Sequence, residues 1–117
     1  MKKFDERDQL SLFLPSDPPG MDFDTHVGAL SEMVFDWAEA AFPDRTDVSL
    51  FLKLYSELGE VIESQGAADE IADLFILLLD YAVRKKVDIT SAVRKKIIIN
   101  RARLWCTDQN GVNRHVD

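Results

Sequence analysis

The segment from about residue 67 to residue 86 constrains the fold most, because as a helix it is apolar on nearly every side. Its apolar residues form two stripes at helical spacing. The first comprises Ile71, Leu74, Phe75, Leu78 and Ala82, and the second comprises Ala72, Ile76, Leu77, Leu79 and Val83. A helix that is apolar most of the way round is buried on both sides. Because so short a chain rarely covers a central helix completely, we expect a homo-oligomer, a dimer or a tetramer, with this helix near the subunit interface.

The sequence pattern predicts three further helices, two before this segment and one after it, and it shows no strand alternation. The predicted helices cover about residues 25–41, 47–64, 67–86 and 88–105. Pro43 stops the first helix, and Gly66 follows the end of the second, where glycine is common. Asp88 or Thr90 can cap the start of the fourth. The expected fold class is all-α, a four-helix antiparallel bundle.

The helical domain is expected at residues 26–105, between two segments of different character. An N-terminal arm, residues 1–25, is interrupted by Pro18, Pro19 and Gly20, yet it is too apolar for a free tail. We therefore expect it to lie on the domain or on a partner subunit. Residues 106–117 are polar and are expected to form an irregular tail.

The charge balance excludes several partners. The 117 residues include 21 Asp and Glu against 14 Lys and Arg, a net charge of −7. We therefore expect no nucleic-acid partner, which would need a basic face, and no anionic membrane partner. No stretch resembles a secretory signal or a membrane span of ~20 apolar residues. The single cysteine, Cys106, favours a reducing compartment, and the expected location is cytoplasmic.

Four acidic residues are arranged symmetrically about the turn between the second and third helices. Glu57 and Glu60 share one helix face, as do Glu70 and Asp73, because each pair is three residues apart. Glu60 and Glu70 are equally distant from Gln65, and so are Glu57 and Asp73. In an antiparallel hairpin, residues equidistant from the turn lie side by side. The spacing therefore predicts a cluster of four carboxylates.

Such a cluster repels itself unless a cation lies within it. Oxygen ligands suit Mg²⁺ or Mn²⁺, and two such ions ~3.5–4 Å apart are an established arrangement for phosphoryl chemistry. Asp73 directly precedes the apolar run that begins at Leu74, where an unpartnered carboxylate is costly. Spacing alone leaves the alternative open, because Glu–x–x–Glu pairs on helices are commonly solvated surface charge.

The fourth helix carries complementary positive charge. Lys96, Asn100 and Arg103 share one face at intervals of four and three residues. A lysine, an amide and an arginine on one stripe can hold a triphosphate, and arginine is suited to bidentate contact. The alternative is a solvated basic face that pairs with acidic neighbours.

These motifs together resemble the all-α nucleoside triphosphate pyrophosphohydrolases, the MazG-like and dimeric dUTPase-like superfamily. The resemblance covers about residues 35–105. It is carried by Glu57-Leu-Gly-Glu60, by Glu70-Ile-Ala-Asp73, and by the ending Lys96–x3–Asn100–x2–Arg103–x–Trp105. Trp37 with Phe42 is similar to a stretch of the dATP/dGTP pyrophosphohydrolase branch. Ser56 stands where the family often has an acidic residue, and Pro43 stands where that branch has glycine.

The resemblance implies hydrolysis of a (deoxy)nucleoside triphosphate between the α and β phosphates, which gives a monophosphate and pyrophosphate. Carried over, Glu57, Glu60, Glu70 and Asp73 hold Mg²⁺, with Mn²⁺ as a substitute, and one of the four orients or deprotonates the attacking water. The residues implied in substrate binding are Lys96, Asn100, Arg103, Trp37 and Lys53.

Two of these side chains, and also Asp80, have two possible roles. Trp37 either stacks on the base or belongs to the core. Lys53 either reaches a phosphate or pairs with Glu57, one turn away. Asp80 is either a support for the metal ligands or a salt-bridge partner of the fourth helix, and the second role is the simpler.

Two other functions remain compatible with the sequence. A small acidic bundle with a doubly apolar helix can be a non-catalytic interaction module that docks on a basic partner, although this does not explain the mirrored carboxylates. Alternatively, the chain is a family member without activity, a reading that Ser56 keeps open.

Overall fold

The structure, a computed structural model, describes residues 23–116. The described chain forms four helices and a hairpin: α1 (Phe23–Ala41), α2 (Asp47–Glu63), α3 (Ala68–Arg84), α4 (Ile89–Ala102), β1 (Trp105–Thr107) and β2 (Asn113–His115). The predicted all-α bundle is confirmed. The predicted arm of residues 1–25 lies outside the described residues except for its last three, which begin α1.

The predicted central segment, α3, lies in the middle of the bundle. It packs against α1 on one side and α2 on the other, while α4 packs on α1. The buried apolar side chains come from all three packed helices and comprise Val34, Ala38, Leu50, Leu79 and Ala82. Leu79 is only 1% exposed and lies at the centre of this small core.

The start of α2 is fixed by a capping box at Thr46. The Thr46 hydroxyl accepts from the Ser49 backbone N–H at 3.1 Å, and the Ser49 hydroxyl accepts from the Thr46 backbone N–H at 2.8 Å. Two N–H groups that a helix start leaves unpaired are thereby satisfied. The cap fixes where α2 begins, and thus the position of every side chain along it.

The predicted turn at Gln65-Gly66 is confirmed, and it sets the geometry of the helical hairpin. Gln65 and Gly66 have φ angles of 58° and 86°. The Gly66 N–H donates to the Val61 carbonyl at 2.9 Å, and the Gln65 N–H donates to the Ile62 carbonyl at 3.1 Å. This pair of bonds is the Schellman motif, which ends α2 sharply. The chain therefore reverses at once, and α3 returns alongside α2.

The C-terminal segment differs from the expectation. Instead of a helix to residue 105 and an irregular tail, α4 ends at Ala102, and β1 pairs antiparallel with β2. The Asp108 carboxylate organises the turn between the strands, because it accepts from the backbone N–H groups of Asn110 and Val112 at 2.8 and 2.9 Å. These bonds hold the pKa of Asp108 below its ordinary value.

Among the described residues, no helix combines the length and the apolar character that a membrane crossing requires.

Candidate active site

Three carboxylates converge where α2 and α3 run side by side. One oxygen each of Glu57, Glu70 and Asp73 lies within 4.8 Å of the other two. Glu57 comes from α2, and the other two come from the first turns of α3. The hairpin thus brings together the residues that the mirror spacing predicts to be neighbours.

Glu57 is the most unusual member of the cluster, because it is 5% exposed and incompletely paired. Its Oε2 lies 3.0 Å from Lys53 Nζ, one helical turn away, whereas its Oε1 is buried without a hydrogen-bond partner. A buried carboxylate oxygen without a partner is costly. For Lys53, the structure shows the pairing with Glu57, and this contact raises the pKa of the lysine.

Glu60 borders the same cluster through Glu70. Burial raises the pKa of the Glu70 carboxyl, and repulsion from Glu60 and Asp69 raises it further. A hydrogen bond with Glu60 and repulsion from Asp73 act in the same direction. Glu60 and Asp73 therefore lie close enough to Glu70 for their charges to oppose its ionisation, and such crowding of like charges favours a bound cation.

A cleft of about 420 Å³ opens beside the cluster, between α1, α2 and α3. Its lining residues are Trp37, Ala38, Phe42, Arg45, Ser49, Leu50, Lys53, Glu57, Asp73, Ile76, Leu77 and Asp80. Glu57 and Asp73 stand at one end, and the middle of the wall is apolar. The cleft thus combines an acidic end with an apolar chamber, as a small-molecule site requires.

Trp37 and Phe42 form an aromatic wall of this cleft. Their rings meet edge to face, with centroids 5.5 Å apart. Trp37 is 54% exposed, so it is not a core residue in the isolated chain. Its position on the cleft favours the stacking interpretation over the core interpretation.

The opposite end of the cleft is closed by an ion pair that sequence reasoning missed. Arg45, in the loop between α1 and α2, donates from Nε and Nη2 to the two oxygens of Asp80, at 2.8 and 2.7 Å. The predicted salt bridge from Asp80 to the fourth helix is therefore wrong. Asp80 lies in the apolar helix α3 and is 2% exposed, and a carboxylate buried in this way requires a cationic partner. The sequence shows Asp80 within an apolar run, but it does not identify Arg45 as the partner.

The predicted basic face lies apart from this cleft. It lies on α4 and its C-terminal cap, and comprises Lys96, Asn100 and Arg103; α4 packs on α1. In the described part of the chain, the cleft that contains Glu57 and Asp73 is lined by none of these three residues. The Asn100 side-chain oxygen is buried without a hydrogen-bond partner. A single copy of the described chain therefore does not bring the basic face and the carboxylates together.

Known proteins are similar to this chain in sequence and in fold. A family profile described as dATP/dGTP pyrophosphohydrolase matches residues 30–116. A dATP/dGTP diphosphohydrolase of Cyanophage S-2L is 42% identical over 92 residues, which span 77% of this chain and 88% of that protein. A dATP/dGTP diphosphohydrolase of Salmonella phage PMBT28 is 40% identical over 91 residues, which span 77% of this chain but only 31% of that longer protein.

A solved structure agrees with these matches. It is the Cyanophage S-2L MazG-like pyrophosphohydrolase bound to dGDP and three catalytic Mn²⁺ ions per active site. Its TM-score is 0.72 at 41% identity, and the match covers 78% of this chain and 97% of that one. The resemblance inferred from the motifs is therefore confirmed: the chain belongs to the dATP/dGTP pyrophosphohydrolase family, and it is an enzyme of the metal-dependent nucleotide pyrophosphohydrolase class.

Proposed function

We propose that the chain hydrolyses dATP and dGTP to the monophosphate and pyrophosphate, with Mg²⁺ or Mn²⁺ as cofactor. One observation carries the proposal: the buried Glu57 has an unpartnered oxygen and converges with Glu70 and Asp73 at the end of a nucleotide-sized cleft. The names of the phage relatives support the two substrates.

The donor set fits a hard divalent cation. Carboxylate oxygens are the preferred ligands of Mg²⁺ and Mn²⁺, and an unpartnered buried oxygen is the kind of group that such an ion satisfies. We assign Glu57, Glu60, Glu70 and Asp73 as the residues that would hold the metal. When bound, the ion supplies positive charge against the phosphates and lowers the pKa of a coordinated water.

The chain's own side chains supply the remaining functions. One of the four carboxylates orients the attacking water and accepts its proton, which requires that this carboxylate be ionised. Lys53 is one turn from Glu57, so once the carboxylate holds a cation its ammonium can turn to a phosphate oxygen instead. Trp37 offers an exposed ring on which a base can stack, and the apolar walls exclude water from the chamber.

Lys96, Asn100 and Arg103 are proposed to contact phosphate or sugar oxygens. Their residue types and their match to the family ending support this role. Because they lie outside the cleft of a single copy, we expect them to reach substrate only in the assembled oligomer.

The proposed assembly is a homo-oligomer, a dimer or a tetramer, joined through two apolar stripes. The stripe on α3 comprises Ile71, Phe75 and Leu78, and the stripe on α2 comprises Phe51, Tyr55, Leu58 and Ile62. All seven residues are between 43% and 79% exposed in the isolated chain. A groove of about 380 Å³ runs beside the α2 stripe and is lined by Phe51, Leu54, Tyr55, Leu58 and Leu74. Apolar patches of this kind mark interaction sites on soluble domains.

We further propose that the catalytic domain is residues 26–105, with the arm 1–25 and the segment 106–117 outside it. The single cysteine and the nucleotide substrate support a cytoplasmic location.

The test is product analysis with dATP, dGTP, dCTP and dTTP in the presence of Mg²⁺ or Mn²⁺. We expect equimolar monophosphate and pyrophosphate from the purine nucleotides, because the α–β bond is cleaved. Glu57→Gln should lower the rate by at least ~100-fold, whereas Glu63→Gln, on the same helix but outside the cluster, should not. Diphosphate and orthophosphate as products, or full activity of Glu57→Gln, would refute the assignment. No turnover of any triphosphate would favour the interaction module or the inactive relative.

A further inference from the structure

The end wall of the cleft opposite the carboxylates is built from a buried ion pair. The side chains of Arg45 and Asp80 are 6% and 3% exposed, and both line the cleft. Two parallel N–H···O bonds hold them in one plane, which is the strongest and most directional form of this contact. The wall is therefore rigid before any ligand arrives.

Further contacts fix the orientation of the guanidinium. Arg45 Nη1 donates to Glu39 Oε1 at 2.7 Å and to the Phe42 carbonyl at 3.2 Å. The guanidinium also lies over the Phe35 ring, 5.3 Å from its centroid. Phe42 is the aromatic residue that contacts Trp37, so the ion pair and the aromatic wall are one connected structure.

The wall retains hydrogen-bonding capacity. A guanidinium has five N–H groups, and the contacts to Asp80, Glu39 and Phe42 use four of them, which leaves one on Nη2. Each Asp80 oxygen accepts one bond from Arg45, and a carboxylate has about four acceptor positions. The wall can thus present one donor and one acceptor next to each other.

The position of the wall matches the reach of a nucleotide. Asp80 follows Asp73 by seven residues on α3, so the two lie ~10 Å apart along the helix axis. A nucleotide whose phosphates lie at Asp73 extends its sugar and base along the apolar wall toward Asp80. Ile76 and Leu77 form that wall between the two ends.

We propose that Arg45 and Asp80 determine base specificity by reading the edge of a purine. Adenine presents an acceptor at N7 next to a donor at its 6-amino group. Guanine presents O6 next to N1–H. Arg45 donates to the ring nitrogen or the oxo group, and Asp80 accepts from the neighbouring N–H. This inference rests on the proposed function, because it assigns the base end of the same cleft.

The test compares dATP with purine deoxyriboside triphosphate, which lacks the 6-amino donor. Binding is measured with the α,β-methylene forms of both nucleotides and Mn²⁺, so the result does not depend on turnover. We expect the wild-type chain to bind the amino-bearing nucleotide at least ~10-fold more tightly, since loss of one partner leaves the acceptor of the wall unpaired. Equal affinities would overturn the proposal without any variant.

Substitutions at Asp80 and Glu39 then show which residues cause the preference for the amino-bearing nucleotide. Asp80→Asn should reduce the discrimination severalfold toward unity, whereas Glu39→Gln, which removes the charge of the exposed outer partner of Arg45 but keeps an acceptor oxygen for its Nη1, should keep it. Circular dichroism verifies that each variant is folded, and the wild-type comparison remains decisive if Asp80→Asn is not. Full discrimination in a folded Asp80→Asn variant would refute the role of this pair. Failure of the proposed function has a different signature, namely no pyrophosphate from any triphosphate.

Discussion

Lys53 Nζ lies 3.0 Å from Glu57 Oε2, while the other oxygen of the same carboxylate is buried without a hydrogen-bond partner. The lysine side chain is 60% exposed and the glutamate side chain is 7% exposed, so the ammonium covers the carboxylate from the solvent side. The ion pair is therefore an internal substitute for part of the positive charge that the cluster requires. We propose that a cation bound by Glu57 would free Lys53 to contact another anion.

Replacing Lys53 separates these two effects. In Lys53→Met the carboxylates lose a neighbouring positive charge, so Mn²⁺ should bind at least as tightly as in wild type. If Lys53 contacts a phosphate as proposed, its loss should raise the KM for dATP roughly tenfold, the typical scale for a hydrogen bond to a charged group. Calorimetry and pyrophosphate-release kinetics measure the two quantities. Lys86→Met, two residues past the C-terminal end of α3, is the matched control, and an unchanged KM in Lys53→Met would exclude the phosphate contact.

Divalent metal should stabilise the fold through the carboxylate cluster. At a concentration 100-fold above its dissociation constant, one bound ion adds about 2.7 kcal/mol, equivalent to roughly 10–20 °C in Tm for a domain of this size. Thermal melts with Mn²⁺ or Mg²⁺ measure the shift. Asp73→Asn should abolish it while leaving helical content intact, and its metal-free Tm should equal or exceed that of wild type because like-charge repulsion is relieved. A metal-independent wild-type Tm would favour the non-catalytic interaction module.

The sequence predicted the helices and the acidic cluster because both depend on local chemistry. Helical spacing identified α3 as the central helix, and Gly66 marked the turn from which the mirror pairing of Glu57 with Asp73 followed. Each inference needed only a period or a capping rule.

The features that the sequence did not predict depend on contacts distant in the chain. Arg45 and Asp80 are separated by 35 residues, and nothing local distinguishes this arginine from the others. The C-terminal hairpin depends on Asp108 accepting from backbone N–H groups across a turn, whereas the polar composition of residues 106–117 indicated an irregular tail. The separation of α4 from the cleft is likewise a packing result, since the spacing of Lys96, Asn100 and Arg103 defines a face but not its neighbour.

Acid should weaken the junction between α2 and α3 through Asp47. Hydrogen bonds from Lys85 and Arg84 hold the pKa of this carboxyl below its ordinary value of 3.8. Because the folded state lowers the pKa, the ionised group contributes stability above pH ~4, and this contribution is lost as the pH falls through the folded-state pKa. Asp47→Asn should therefore lower the urea midpoint at pH 7 and have less effect at pH 3. The change should be small, since exposed ion pairs contribute little.

Asp44→Asn is the matched control for this measurement, because Asp44 lies in the adjoining loop. The urea midpoints of wild type and both variants are compared at the two pH values, so that the titration of other groups cancels. A difference between wild type and Asp47→Asn that is equal at both pH values would show that the ion pairs do not act through the ionisation of Asp47.

A charge placed in the α3 stripe should dissociate the proposed oligomer. Phe75 is 48% exposed in the isolated chain and lies between Ile71 and Leu78 on the same face. If a second copy covers this stripe, Phe75→Glu places an unpaired carboxylate in an apolar contact, which costs several kcal/mol for a charge without a partner. Light scattering after size exclusion should show a wild-type oligomer and a monomeric variant. Ile98→Glu, on α4 and 67% exposed, should retain the wild-type mass, and a monomeric wild type would refute the assembly.

The basic face on α4 lies outside the cleft of one copy and comprises Lys96, Asn100 and Arg103. The monomeric Phe75→Glu variant should therefore also lose pyrophosphate release while still binding Mn²⁺. That result would show that the basic face acts only in the assembled oligomer.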